Sequence, residues 1–137
     1  MKTIMEAIWD FGTTDSAFNT AIGGSAILRG NMFDTAAPEA TAFPYCVVTN
    51  LAADTELCFG SQRIEEANIR ISTYAGGLSS AYSVHTLLRA RFDLQELTTV
   101  DTGTGLAMIP DGTIGPVRLP GGDYWVISQD YRIRVFS

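Results

Sequence analysis

Chemistry has few places to start in this sequence. The chain holds one histidine, His85, and two cysteines, Cys46 and Cys58. A zinc site needs about four such ligands at close, patterned spacing, and this set does not supply it. Glu65 and Glu66 are neighbours, and in an extended chain neighbours point to opposite faces, so they cannot chelate one ion. No metal and no cofactor are therefore expected. As a general base His85 would need a nucleophile within hydrogen-bond reach, and none adjoins it in sequence; a structural role at a helix edge is expected. Gly76-Gly77 precedes a helical stretch and offers an anion only what any helix start offers. No Lys-Ser/Thr follows it, and Gly103-Thr-Gly105 opens no obvious helix, so a phosphate cradle is absent.

Asp101-Thr102-Gly103 is the sharpest enzymatic signal. It looks like the Asp-Thr-Gly signature of aspartic proteases. That chemistry needs two carboxylates sharing a proton and holding the attacking water, one from each half or subunit. A dimeric protease would use one motif per chain. Too little sequence follows Asp101 for a flap and closing strands, so an ordinary loop and no enzyme are expected. Arg132 and Arg134 share one face of a strand with Ser128 and Asp130. That face is a candidate surface for an acidic partner; solvation, or pairing with Asp130, are the alternatives.

The elements that would position these groups follow from periodicity. Arg63–Tyr74 alternates, with Ala67, Ile69, Ile71 and Thr73 on one face and Asn68, Arg70, Ser72 and Tyr74 on the other, which is a strand. Leu78–Asp93 reads as an amphipathic helix capped by Ser79 or Ser80, with Ala81, Val84, Leu88 and Phe92 as its core stripe and Leu87 at the margin. Its opposite face, Ser79, Ser83, Thr86 and Ala90, is small and uncharged. Residues 3–11 read as a first helix, capped by Thr3 and ended by Gly12, with Ile4, Ala7, Ile8 and Phe11 inward and Met5 and Trp9 on another flank. Asp15 caps a short second helix, Ser16–Ile22, closed by Gly23-Gly24.

Strands are further expected at Ala26–Phe33 and Tyr45–Leu51, with a turn at Ala52–Thr55 and a return strand from Glu56. Leu106–Ile109 and Ile114–Leu119 suggest a hairpin across Pro110-Asp-Gly-Thr113. Tyr124–Phe136 is the clearest strand, with Gln129 the one polar break on its core face. Helices, strands, helix, strands, without a βαβ repeat, give a single α+β domain over residues 1–137. It has a mainly antiparallel sheet packed with an amphipathic helix and a short N-terminal helix pair.

Composition narrows the function classes. Hydrophobic residues are 46% and charged residues 18%, a globular balance. A net charge of −6 argues against broad phosphate-backbone binding. Both cysteines lie in apolar runs and are expected as buried free thiols. The N-terminus, broken by Glu6 and Asp10, is no signal peptide, and no apolar run approaches the roughly 20 residues of a membrane span. A cytoplasmic site of synthesis and no membrane partner are expected.

The layout as a whole resembles a known family. A helix pair ends in Ala-Ile-Gly-Gly24; Phe43-Pro-Tyr45-Cys-Val-Val48 enters a strand; Ile69-Arg-Ile-Ser-Thr-Tyr74 leads to the helix; Tyr131-Arg-Ile-Arg-Val-Phe136 closes the chain. This resembles the tail-terminator or tail-completion proteins of long-tailed bacteriophages and gene transfer agents, over nearly the whole chain. The resemblance implies a virion protein without catalysis or cofactor. It implies a ring, usually six-fold, that stops the tail tube at its head-proximal end, touching the tail tube protein and a head-completion or neck protein. DNA would pass through its lumen without specific binding, which the acidic charge suits. A tail tube or head–tail stopper role is the neighbouring alternative, and a small monomeric binding module the next. Residues 98–123 depart from the family pattern as an expanded Gly/Thr/Pro-rich region. A closed ring needs two unlike contact surfaces on each subunit. The candidates are the Ser79, Ser83, Thr86 and Ala90 face, the Met5/Trp9 flank, and Arg132 with Arg134.

Overall fold

The computed structural model of the chain describes residues 2–25, 28–34, 37–38, 41–59, 62–98, 105–119 and 123–136. Of these, residues 2–6, 34, 50, 52–59, 62–67, 98, 105–106 and 135–136 are described by backbone alone. The elements are α1 (Lys2–Thr13), α2 (Ser16–Ala21), β1 (Met32–Asp34), β2 (Tyr45–Phe59), β3 (Gln62–Ala75), α3 (Leu78–Phe92), β4 (Glu96–Thr98), β5 (Gly105–Arg118) and β6 (Trp125–Phe136). The strands form one sheet in the order β1-β2-β3-β6-β5-β4. Only β1 and β2 are parallel. The fold is α+β and mainly antiparallel, as the sequence pattern implies.

The alternation of β3 and β6 decides which face carries the core. Ile69, Ile71 and Thr73 of β3 and Ile127, Gln129, Tyr131 and Ile133 of β6 are all buried on one face. α3 lies across β3, β6 and β5 and seals that face with Ala81, Val84, Leu88 and Phe92. α1 touches both edge strands, β1 and β4, so the sheet is rolled around the helices. Gln129 is accommodated because Thr113 of β5 donates a 2.6 Å hydrogen bond to its Oε1.

Local signals held in part. Asp15 caps α2, its carboxylate accepting from the Phe18 N–H at 3.1 Å, and Gly23 takes a positive φ of 89° just beyond that helix. Thr3 lies inside α1 and is not its cap, and Gly12 does not end the helix, which runs on to Thr13. Gly12 is a packing residue: a Cβ there would lie 2.9 Å from the Phe92 ring. α3 is not capped by a serine. Gly77 is its N-cap, with no side-chain bond, and its carbonyl accepts from Ala81.

Three expectations about strands are corrected. β1 is only Met32–Asp34: residues 28–31 of the expected strand are not extended into it, and Ala26 and Ile27 lie outside the described residues. Ala52–Thr55 is not a turn: β2 continues to Phe59, and register shifts between Asn50 and Thr55 absorb the irregular residues. Pro110-Asp-Gly-Thr113 does not close a hairpin either. β5 is one strand, paired with β6 throughout, with register shifts at Pro110/Gly112 and Ile114/Val117. Bulges let an outer strand carry proline and glycine without losing its ladder.

Candidate interaction surfaces

The outward side of α3 begins with Leu78 and Tyr82, 38% and 49% exposed. Ser79, Ser83, Thr86 and Ala90 are exposed alongside them. Leu78, Ser79, Tyr82, Ser83 and Thr86 line a shallow depression of about 600 Å³. Thr86 satisfies its hydroxyl within the helix, donating to the Tyr82 carbonyl at 2.9 Å. Charge returns only in the last turn, where it is compensated. Arg89 pairs with Asp93 at 2.8 Å, and Arg91 donates to the Phe11 carbonyl at 2.8 Å while its guanidinium lies 3.6 Å over the Phe11 ring.

Asp93 also accepts the Tyr131 hydroxyl at 2.6 Å, tying the end of α3 to β6. Burial first, and then that bond to Asp93, raise the Tyr131 phenol far above its ordinary range. His85 is buried, and its Nδ1 has no hydrogen-bond partner among the described residues. Burial and the nearby Arg89 push its pKa down, against an opposing pull from Asp93.

Trp9 is exposed on the far flank, and Arg29 covers it: the guanidinium lies 5.0 Å over the ring while donating to Thr13 at 2.8 Å and Asp10 at 3.3 Å. The side chain of Met5 lies outside the described residues. Next to this flank, periodicity gave no sign of Asn19. Its buried amide donates to the Ser25 and Leu28 carbonyls and accepts from the Gly30 N–H, and so ties these three residues to α2.

On the outer face of the sheet Arg132 pairs with Asp111, a residue left over in the β5 bulge, at 3.5 Å. Asp130 is taken by Arg70, which donates from Nε at 2.8 Å and from Nη2 at 3.2 Å. Of the alternatives offered by the sequence, pairing with Asp130 is thus taken up across the strands by Arg70, while Arg132 pairs with Asp111. Arg134, half-buried, also has a partner. Ser128 is buried against Ser72, their hydroxyls 3.0 Å apart. The basic face is therefore internally compensated, which weakens it as an anion receptor.

Cys46 is a free, fully buried thiol, raised to about 12 by burial. Its strand-mate Cys58 sits at the other end of β2, roughly 40 Å away at strand rise, far beyond disulfide reach. The Asp101-Thr102-Gly103 motif lies outside the described residues. Among the described residues no group of three or more His, Cys, Asp or Glu gathers as for a metal. Among them, too, no helix is long and apolar enough to cross a membrane.

No family model matches this chain, and no curated protein matches it. Solved structures do share its architecture. One chain from the virion of a native gene transfer agent particle superposes with a TM-score of 0.71 at 16% identity, over 98% of this chain and 95% of that one. A second solved chain gives a TM-score of 0.66 at 13% identity, over 98% and 94%. At such identities the likeness establishes the fold.

Proposed function

We propose that this chain is a structural virion protein, a subunit of the ring that terminates a phage-type tail tube and joins it to the head or neck. The observation that carries this is the end-to-end match to a chain of a gene transfer agent virion, without a large insertion on either side. The layout from Ala-Ile-Gly-Gly24 to the aromatic–Arg strand Tyr131–Phe136 supports the same reading. The exposed, uncharged α3 face supplies one of the two surfaces that a ring contact requires. In this reading the protein performs no catalysis, and its partners are further copies of itself, the tail tube protein and a neck protein. The net charge of −6 suits a lumen through which DNA slides without sticking.

The test is the mass of the purified protein by light scattering behind a sizing column, with electron micrographs of the same peak and of the protein added to purified tails. Closed rings, or rings seated on tail ends, are expected. Open-ended cylinders would reassign it to the tube itself. A monomer that ignores tails would remove the assembly reading and return the chain to the class of small binding modules.

A further inference from the structure

A ring built on the α3 face needs a second, unlike surface for that face to meet. Resting on the ring reading, we propose that α3 of one copy packs against the outer face of the next copy's sheet, at the end where β2 and β6 begin. Aromatic side chains from separate segments converge there. Tyr45 and Tyr74, on adjacent strands, stack at 4.9 Å and 12°, and Phe43 stacks on both Tyr45 and Tyr124, each at 5.5 Å. The belt continues onto β5 as Val117 and Ile114, opposite Val126 and Ser128 of β6 and each 46% exposed.

Charge is the second half of the argument. The register sets two rows side by side across the sheet, one through Tyr45, Tyr74 and Val117, the other through Val47, Ser72 and Ile114. Neither row holds an ionised side chain; the next one opens with the Arg70–Asp130 pair. Val47, Ser72 and Ser128 are buried within these rows, so the apolar surface left to a partner is that of Phe43, Ile114 and Val117 with the half-buried tyrosines beside them; such surface rimmed by ion pairs marks a contact site. Its partner must also lack charge, because burying an unpaired charge against it is costly. The α3 face meets that condition and lies on the opposite side of the same molecule. Leu78 and Tyr82 supply apolar contact, and the small residues behind them let the helix backbone approach. A contact between two unlike faces of one chain is heterologous, the kind that closes into rings.

Two full-length variants test the contact: Ser83→Glu on the helix and Val117→Glu on the sheet. Each is expected to melt cooperatively yet to weaken assembly by more than about tenfold. Mixed in equal amounts, the two should form a heterodimer and stop there, since together they retain one good copy of each face. Thr86→Glu and Ile114→Glu replace either variant should it fail to fold. If Val117→Glu alone forms dimers, helix meets helix, and if Ser83→Glu alone does so, sheet meets sheet; either outcome overturns the proposal. Rings that persist unchanged in both variants overturn this contact and leave the ring reading standing. A parent chain still monomeric at roughly 1 mM overturns the contact whether or not it joins purified tails.

Discussion

The outer face of the sheet changes character part-way along its strands. Near the start of β2 it is aromatic and uncharged, with Phe43 still 46% exposed after stacking on its neighbours. Further on it carries Arg70 with Asp130 and Arg132 with Asp111. The charged half is complete as it stands, because each described ion has found a partner within the chain and keeps its water. The aromatic half has only itself, and stacking leaves Phe43, Ile114 and Val117 nearly half exposed. A net charge of −6 predicts neither half. Where charges are absent tells more about contacts than how many there are.

The comparison is broken most severely through β3, whose neighbouring residues face opposite ways. Ile71 is fully buried under α3, so Ile71→Ala should cost about 2–5 kcal/mol. Urea melts would show it as a lowered midpoint with an unchanged slope. Tyr74, three residues on, belongs to the belt. Tyr74→Ala should cost about 1 kcal/mol in the monomer but should abolish assembly. Equal losses of stability would mean that the belt is a second core and not a docking face.

In the charged half, Asp130→Asn removes the carboxylate that both Arg70 contacts use. The pair is partly open to solvent, so the loss should be about 1 kcal/mol at most, smaller in high salt. Light scattering should show assembly unchanged. A large change in assembly would carry the contact surface across the boundary drawn here.

What could be read in advance follows the same division. α3, β3 and β6 were legible because each keeps its apolar positions in one period along the sequence, as in Ala67, Ile69, Ile71 and Thr73 of β3. Short or irregular pieces were not. Three residues of β4 carry no period, and the Ala52–Thr55 and Pro110–Thr113 stretches have turn composition while the sheet absorbs them as bulges. The uncharged α3 face was legible from spacing alone. The aromatic belt was not, since Phe43, Tyr45, Tyr74 and Tyr124 are brought together only by strand register. Asn19 was missed for a related reason: a buried amide that bonds backbone groups six to eleven residues away leaves no local pattern.

A smaller effect should appear on acidification. His85 is the chain's only histidine, and its pKa is held below the ordinary value by burial and then by Arg89, with Asp93 opposing. The unfolded chain therefore takes the proton first. Stability from the neutral imidazole is present above about pH 6.5 and is lost as pH falls below it towards the folded pKa. Thermal melts between pH 7 and 5 should show this slope, and His85→Leu should flatten it. A slope that survives His85→Leu would have to come from carboxylates instead.

The smallest effect is expected at Arg132. Its guanidinium reaches Asp111 at 3.5 Å with both side chains about half exposed. Such pairs contribute about 0–1 kcal/mol, because water competes for both ions and holding two long side chains in place costs entropy. Asp111 is the extra residue of a bulge and is exposed, so the loss of its partner leaves no buried charge behind. Arg132→Ala should therefore move stability by less than about 0.5 kcal/mol and leave assembly untouched. That near-silence separates the two halves of the face. If Arg132→Ala impaired assembly as strongly as Val117→Glu, the self-paired ions would be part of the contact, and freedom from charge would no longer distinguish the docking half. If it left assembly intact but removed binding to an acidic protein, the charged half would have a ligand of its own, with Asp111 as the intramolecular competitor which that ligand displaces.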